Sequence, residues 1–167
     1  MAASRRQPPA RYTAVPASRS RVRQPPNALD AALRLLGQRL HSELELRQKL
    51  RRHGCPPVEI DRALARVREL GYLDDAAFAR ALVTHRARVR GPALIAAELA
   101  AKGVDRELAQ AAVGSLDHEE MVAAARRLAR RGGAADHRTI AARLFRRGFP
   151  AEIIREALGG EPNLEEQ

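Results

Sequence analysis

The sequence predicts an all-α protein: three tandem three-helix repeats forming an elongated, curved body, preceded by a disordered Arg/Pro-rich tail. Three observations predict it. Between Ala28 and Leu158 the apolar residues recur at spacings of three and four and never alternate strictly, the pattern of helices with one buried face. The pattern [Leu/Ile]-x3-Leu-x3-Gly occurs three times, as Leu46–Leu50–Gly54, Ile95–Leu99–Gly103 and Ile140–Leu144–Gly148, with a period of 49 and then 45 residues. Aromatic residues make up only 3% of the 167 residues and Trp is absent. The core must therefore be assembled from Ala, Leu, Val and Ile, which suits close-packed helices better than a sheet.

Residues 1–27 come first. They hold five prolines, six arginines and no acid, and carry +6 of the net +10. So few apolar groups cannot offset the ordering entropy of the chain, so this segment is expected to be a disordered basic tail. The first repeat, 28–71, opens with the stripe Leu29, Leu33, Leu36, Leu40. Ser42 with Glu45 then fits a capping box at the start of its second helix. Gly54 follows the basic pair Arg51-Arg52 and would end that helix in the left-handed conformation. Pro57 suits a first turn, and Ile60, Leu64, Val67 and Leu70 mark the third helix.

The second repeat, 72–115, begins its first helix near Asp74 and Asp75, whose carboxylates complement a helix N-terminus, and continues with Phe78, Leu82 and Val89. Tyr72 and Phe78 are expected in the core or between repeats. Pro92 opens the middle helix, which ends at Lys102-Gly103, and Val113 lies ten residues on, as Leu64 and Leu158 do after their glycines. The third repeat, 116–158, starts at Asp117 with Glu120 and carries Met121, Ala125 and Leu128. Its middle helix ends at Arg146-Arg147-Gly148, and Pro150 suits the next first turn. Residues 159–167 contain Glu161, Glu165 and Glu166 and read as a short acidic tail.

The chemistry-bearing residues point away from catalysis. The five histidines are scattered; His53-Gly54-Cys55 lacks two further ligands, and His118-Glu119-Glu120 lacks a second His four positions after the first. Gly132-Gly133 has no downstream Lys-Ser/Thr to cradle phosphate. No enzyme, metal or cofactor is expected. A lone cysteine, Cys55, excludes an internal disulfide framework, and no apolar run nears the roughly 20 residues that span a bilayer. The reading is a cytoplasmic chain and a monomer; no heptad seam suggests a coiled-coil dimer, but the sequence leaves other modes of association open.

The positive balance does point somewhere. Thirty basic residues face 20 acids, with a pI near 11.2, and the 28–158 body alone holds +7. Such a surface favours a polyanionic partner, nucleic acid or an acidic protein face. All but Lys49 and Lys102 of the basic residues are Arg, which a GC-rich coding bias explains better than function does, so the sign of the net charge is the stronger evidence. The pairs Arg126–Arg130, Arg127–Arg131 and Arg143–Arg147 stack like charges at i and i+4. Each costs a few tenths of a kcal/mol in an isolated helix, so an external anion is a reasonable explanation. The candidate partner-binding or DNA-binding residues are Arg86, Arg88, Arg90, Arg127, Arg131, Arg143 and Arg147.

The run Leu35-Leu36-x2-Arg39-x2-Ser42-x2-Glu45-Leu46-x2-Lys49-Leu50-x3-Gly54 resembles the opening of the RecX regulatory proteins. The resemblance continues through Leu70-Gly71-Tyr72-Leu73-Asp74-Asp75-x2-Phe78-Ala79, Val83-x2-Arg86-x4-Gly91 and Ile95-x2-Glu98-Leu99-x2-Lys102-Gly103. It covers about 28–158 and is looser in the third repeat, where Arg146-Arg147-Gly148-Phe149 still fits. The resemblance implies tandem three-helix repeats. It also implies binding to the RecA recombinase filament on single-stranded DNA, with restraint of its ATPase, co-protease and strand-exchange activities. The rival expectation is a basic helical module that holds nucleic acid through non-specific phosphate contacts, with the Arg-rich tail supplying affinity.

Overall fold

The computed structural model describes residues 27–131 and 136–159. The expected 1–27 and 159–167 tails thus lie almost wholly outside the described residues, as does Gly132-Gly133. The described residues form nine helices and no strand. They are α1 (Ala28–Leu36), α2 (Glu43–Arg52), α3 (Pro57–Glu69), α4 (Asp75–Arg86), α5 (Pro92–Ala101), α6 (Arg106–Gly114), α7 (His118–Arg130), α8 (His137–Arg146) and α9 (Ala151–Ala157). Helix packs on helix within three successive triplets, each with its own apolar core, largely aliphatic but joined by Phe78 in the second and Phe149 in the third.

Caps explain where the helices begin. Asn27, Ser42, Asp74, Asp105, Asp117 and Asp136 each accept a hydrogen bond from a first-turn backbone N–H. Pro57 and Pro92 occupy first-turn positions, where a missing N–H costs nothing. Pro150 instead precedes α9 as its N-cap. Ser42 Oγ accepts from Glu45 N at 3.2 Å, but Glu45 does not complete the capping box: its carboxylate turns to Arg39, His41 and Lys102. Asp75 likewise leaves its own helix and accepts from the backbone N–H of Glu43, at the start of α2, at 2.9 Å.

The repeated glycine ends α2, α5 and α8 at φ +80°, +74° and +83°. The residue after it donates back to the motif leucine: Cys55 N to Leu50 O, Val104 N to Leu99 O, Phe149 N to Leu144 O. Each of those followers is buried, giving the apolar contact that accompanies this kind of helix stop. The leucines and isoleucines of the motif are buried in all three units, because positions four apart share one helix face.

Three departures from the sequence pattern have simple causes; one is Leu70, which caps the end of α3 and is left 43% exposed. Leu40 falls past the end of α1 and is 42% exposed, while Ala28, Ala31 and Ala32 bury that helix's inner face. Tyr72 is 56% exposed, because the turn at Gly71 aims it outward and places Leu73 in the core instead. Phe78 is buried, as expected. Phe78→Ala is expected to lower unfolding free energy by about 3 kcal/mol in urea titration; a change near zero would contradict its place in the core.

The units are joined by one repeated contact. Ser42 Oγ donates to Lys102 O at 2.7 Å, and Lys102 also pairs with Glu45. At the next joint Gly91 N donates to Arg147 O at 2.8 Å and Ala93 N to Gly148 O at 3.3 Å. Ser42 and Gly91 are equivalent in the repeat, as are Lys102 and Arg147. The C-terminus of each middle helix therefore docks on the N-terminus of the preceding one, so α8, α5 and α2 run head to tail. Carbonyl end meets amide end at both joints, a favourable dipole arrangement.

Contact is close at both joints. A Cβ at Gly103 would lie 2.7 Å from Leu44, and one at Gly148 would lie 2.6 Å from the backbone of Leu94. Gly54 heads the row, and a Cβ there meets nothing. Glu45, at the first joint, is pushed up by burial, yet hydrogen bonds from Lys102 and Arg39 outweigh this and hold it down at about 2. Burial pushes the enclosed His41 below its usual value.

Candidate anion-binding groove

Unit 3 docks with α7 and α8 beside the end of α4, leaving a groove along the seam. Five of the seven candidate arginines line it. Arg88 and Arg127 face each other where α4 gives way to the α5 connection, beside Thr84, Ala87 and Ala123. A hollow of about 480 Å³ follows, lined by Arg88, Val89, Arg127, Leu128 and Arg131. It continues into a smaller one bounded by Val89, Leu128, Arg131, Arg143 and Arg147. The shared lining residues make this one continuous channel with Val89 and Leu128 between the charges.

The five are not equivalent. Arg143 Nη2 donates to the Leu128 and Ala129 carbonyls at 3.4 and 3.3 Å, near the end of α7. Arg147 Nη1 donates to Val89 O at 3.1 Å across the unit boundary. These two are tethered to carbonyls but keep their full charge. Arg88, Arg127 and Arg131 are exposed, and their side chains have no acidic partner or hydrogen bond among the described residues. Three unpaired guanidiniums in one groove repel each other in the free protein, so an anion placed among them gains both attraction and relief of that repulsion. Asp117 and Glu120 line the far end of the channel and set its polarity.

Arg86 and Arg90 do something different. Arg86 grips Glu98 through Nε and Nη2 at 2.9–3.1 Å, and Arg90 Nη1 reaches the same carboxylate at 2.6 Å. The carboxylate thus ties the end of α4 and its following turn to α5. Burial raises Glu98, but Arg86 and Arg90 prevail and hold it below the usual carboxylate range. Their geometry is that of a structural clamp. α4 ends at Arg86, so Arg88 and Arg90 lie in the connection rather than on the helix. Of the other basic positions, Arg47 pairs with Glu43 and Asp61, and Arg126 donates to Glu156 O.

Sequence reasoning missed Glu98 as the partner of these arginines, because it stands 12 and 8 residues from them, beyond the reach of any local spacing rule. It also missed Val89 and Leu128 as groove lining; both read simply as apolar helix positions. Among the described residues no group of His, Cys, Asp or Glu could hold a metal ion, and no helix is long and apolar enough to cross a membrane.

The geometry finds its relatives in the sequence and structure comparisons. Residues 28–66 match the family model "RecX, first three-helix domain", and residues 74–113 match "RecX, second three-helix domain". A regulatory protein RecX of Thermus thermophilus is 41% identical over 135 residues, 78% of this chain and 89% of that one. The chain belongs to the RecX family. RecX of Stenotrophomonas maltophilia is 35% identical over 156 residues, covering 89% of this chain and 96% of its own.

Solved RecX structures share the fold. The crystal structure of RecX from Lactobacillus salivarius superposes with a TM-score of 0.69 at 23% identity, over 78% of this chain and 92% of that one. A second RecX crystal structure reaches 0.71 at 23% identity, over 80% and 72%. The first RecX domain corresponds to α1–α3 and the second to α4–α6, so the groove lies at the seam between the second RecX domain and the unit that follows it. These relatives bear the name of regulatory proteins rather than enzymes.

Proposed function

We propose that this chain is a non-enzymatic regulator that binds the RecA recombinase filament on single-stranded DNA and restrains its ATPase, co-protease and strand-exchange activities. The observation that carries the reading is the convergence of Arg88, Arg127, Arg131, Arg143 and Arg147 on one groove in a RecX-family chain. The groove takes an extended anionic element of the filament, a phosphate backbone or an acidic protein edge. Arg86 and Arg90 support it indirectly by holding α4 against α5. The unit limits are 28–71, 72–115 and 116–158, and the protein works in the cytoplasm as a monomer.

The test is the single-strand-dependent ATPase of the cognate recombinase, titrated with the full chain and with a chain lacking residues 1–27. Binding to bare single-stranded DNA is measured alongside at matched salt. Expected is inhibition well below the concentration that coats bare DNA, retained without residues 1–27. Inhibition only at DNA saturation, or lost with that segment, would favour a non-specific phosphate binder, whose affinity falls steeply with salt.

A further inference from the structure

The repeat register sets the arginine groove beside two places where this chain supplies its own anion. Along the middle helices, positions 49 and then 45 residues apart correspond. Glu45 of α2 therefore aligns with Leu94 of α5, and Glu98 of α5 with Arg143 of α8. At the first joint the Glu45 carboxylate receives Lys102 from the docked end of α5, together with Arg39 at 3.1 Å. Inside unit 2 the Glu98 carboxylate receives Arg86 and Arg90 from the end of α4 and the turn after it. Both carboxylates are held below the usual range, so each stays ionised where two cations meet.

The groove keeps the cations and lacks both acids. Arg147 aligns with Lys102, but Leu94 stands where Glu45 would meet it, and its guanidinium goes to Val89 O instead. Arg143 stands where Glu98 would, and donates to carbonyls in the last turn of α7. Arg127 and Arg131, near the end of α7, therefore meet a third cation rather than a carboxylate. Val89 and Leu128 lie between the charges, and Asp117 and Glu120 close one end. No aromatic ring lines the channel among the described residues.

We propose that the groove binds an acidic protein segment whose two carboxylates take the places of Glu45 and Glu98, one on Arg147 and the other on Arg127 and Arg131. Val89 and Leu128 offer apolar contact to the side chains between those acids, and a sugar–phosphate backbone has nothing equivalent to lay there. A nucleic-acid strand would carry its charge on past Asp117 and Glu120, at a cost in repulsion. It would also find no ring on which to stack a base. A segment with acids at two positions gains at both and need not extend further. The proposal deepens the function proposed above and rests on it only in taking the recombinase filament as the source of the segment.

The probes are a fluorescent Glu/Leu peptide and a fluorescent oligothymidylate of equal formal charge, each titrated against the full chain at matched salt. Leu94→Glu/Arg143→Glu returns both acids to their repeat positions and fills the groove from within. The pair is expected to weaken peptide binding by at least about tenfold, and oligothymidylate binding by less. If the pair does not fold, Arg143→Glu alone makes the same comparison. Peptide affinity equal to wild type in the folded variant would overturn the proposal, as would a wild type that does not bind the peptide. An equal or larger loss for oligothymidylate would overturn it in favour of phosphate as the occupant. Recombinase inhibition is read separately. Groove-dependent peptide binding by a chain that does not inhibit would keep the site and remove the recombinase as its partner. Inhibition without groove-dependent peptide binding would keep the proposed function and reject this occupant.

Discussion

Gly91→Ala is expected to detach the third unit from the second. Gly91 is the N-cap of α5, at an ordinary φ of −81°, so an alanine there suffers no backbone strain. The obstacle is space. Its Cβ would sit 2.2 Å from the carbonyl carbon and oxygen of Gly148 and 2.4 Å from Phe149 N. Those are backbone atoms at the left-handed end of α8 and cannot rotate aside as a flexible side chain would. Relief requires moving unit 3 outward, which breaks the bonds from Gly91 N to Arg147 O and from Ala93 N to Gly148 O.

Overpacking of this kind typically costs 1–3 kcal/mol and here should reach roughly 3 kcal/mol or more, since both partners are main chain. Denaturant titration should split into two transitions, and limited proteolysis should cut the connection between α6 and α7. Because the arginine groove straddles the same seam, recombinase inhibition should fall as well. Gly54→Ala serves as the comparison. It bears the left-handed penalty of about 1–2 kcal/mol but touches nothing, and should leave the units joined. A Gly91→Ala protein that melts in one transition within a degree of wild type would mean that the joint does not hold the units as described.

Arg127→Glu/Arg131→Glu is expected to raise the concentration needed for half-inhibition of the recombinase ATPase by at least about tenfold. A charge-assisted hydrogen bond contributes roughly 1.5–3 kcal/mol, and each 1.4 kcal/mol is tenfold in affinity. Both side chains are exposed and bonded to nothing among the described residues, so the fold should survive the change. Two acids at the end of α7 oppose its dipole, at a cost below about 1 kcal/mol each, so melting temperature should fall only by a few degrees. Arg86→Gln is the opposite case: it breaks the grip on Glu98, so stability should drop while the groove arginines remain. Unchanged inhibition by the double variant would remove these two arginines from the site.

Much of the architecture was legible because helix-forming signals are local. The 3–4 periodicity, the Asp and Ser caps, Pro57 and Pro92, and the thrice-repeated glycine all act within a few residues of one another. Even there, a local rule misled where tertiary bonds competed for the same group. Ser42 suggested a reciprocal box, yet the Glu45 carboxylate bonds Lys102, 57 residues away, and Asp75 caps α2 rather than its own helix. Tyr72 failed as a core candidate because one residue's shift after a left-handed glycine reverses the direction of its side chain. The arginine clusters were visible, but their division into unpaired, tethered and clamped groups was not, since it depends on Glu98, Val89 and Leu128 arriving from other helices.

The described helices, their stops and the largely aliphatic identity of the core are written into the chain itself, because capping, left-handed glycine and apolar periodicity depend on neighbours within a turn or two. How the three units join is settled only in three dimensions. At each joint the carbonyl end of one middle helix meets the amide end of the one before. A glycine accepts the contact because no side chain would fit. That docking assembles the groove from residues some 60 apart. No local preference encodes such meetings; they follow from which surfaces can close against each other once the helices exist.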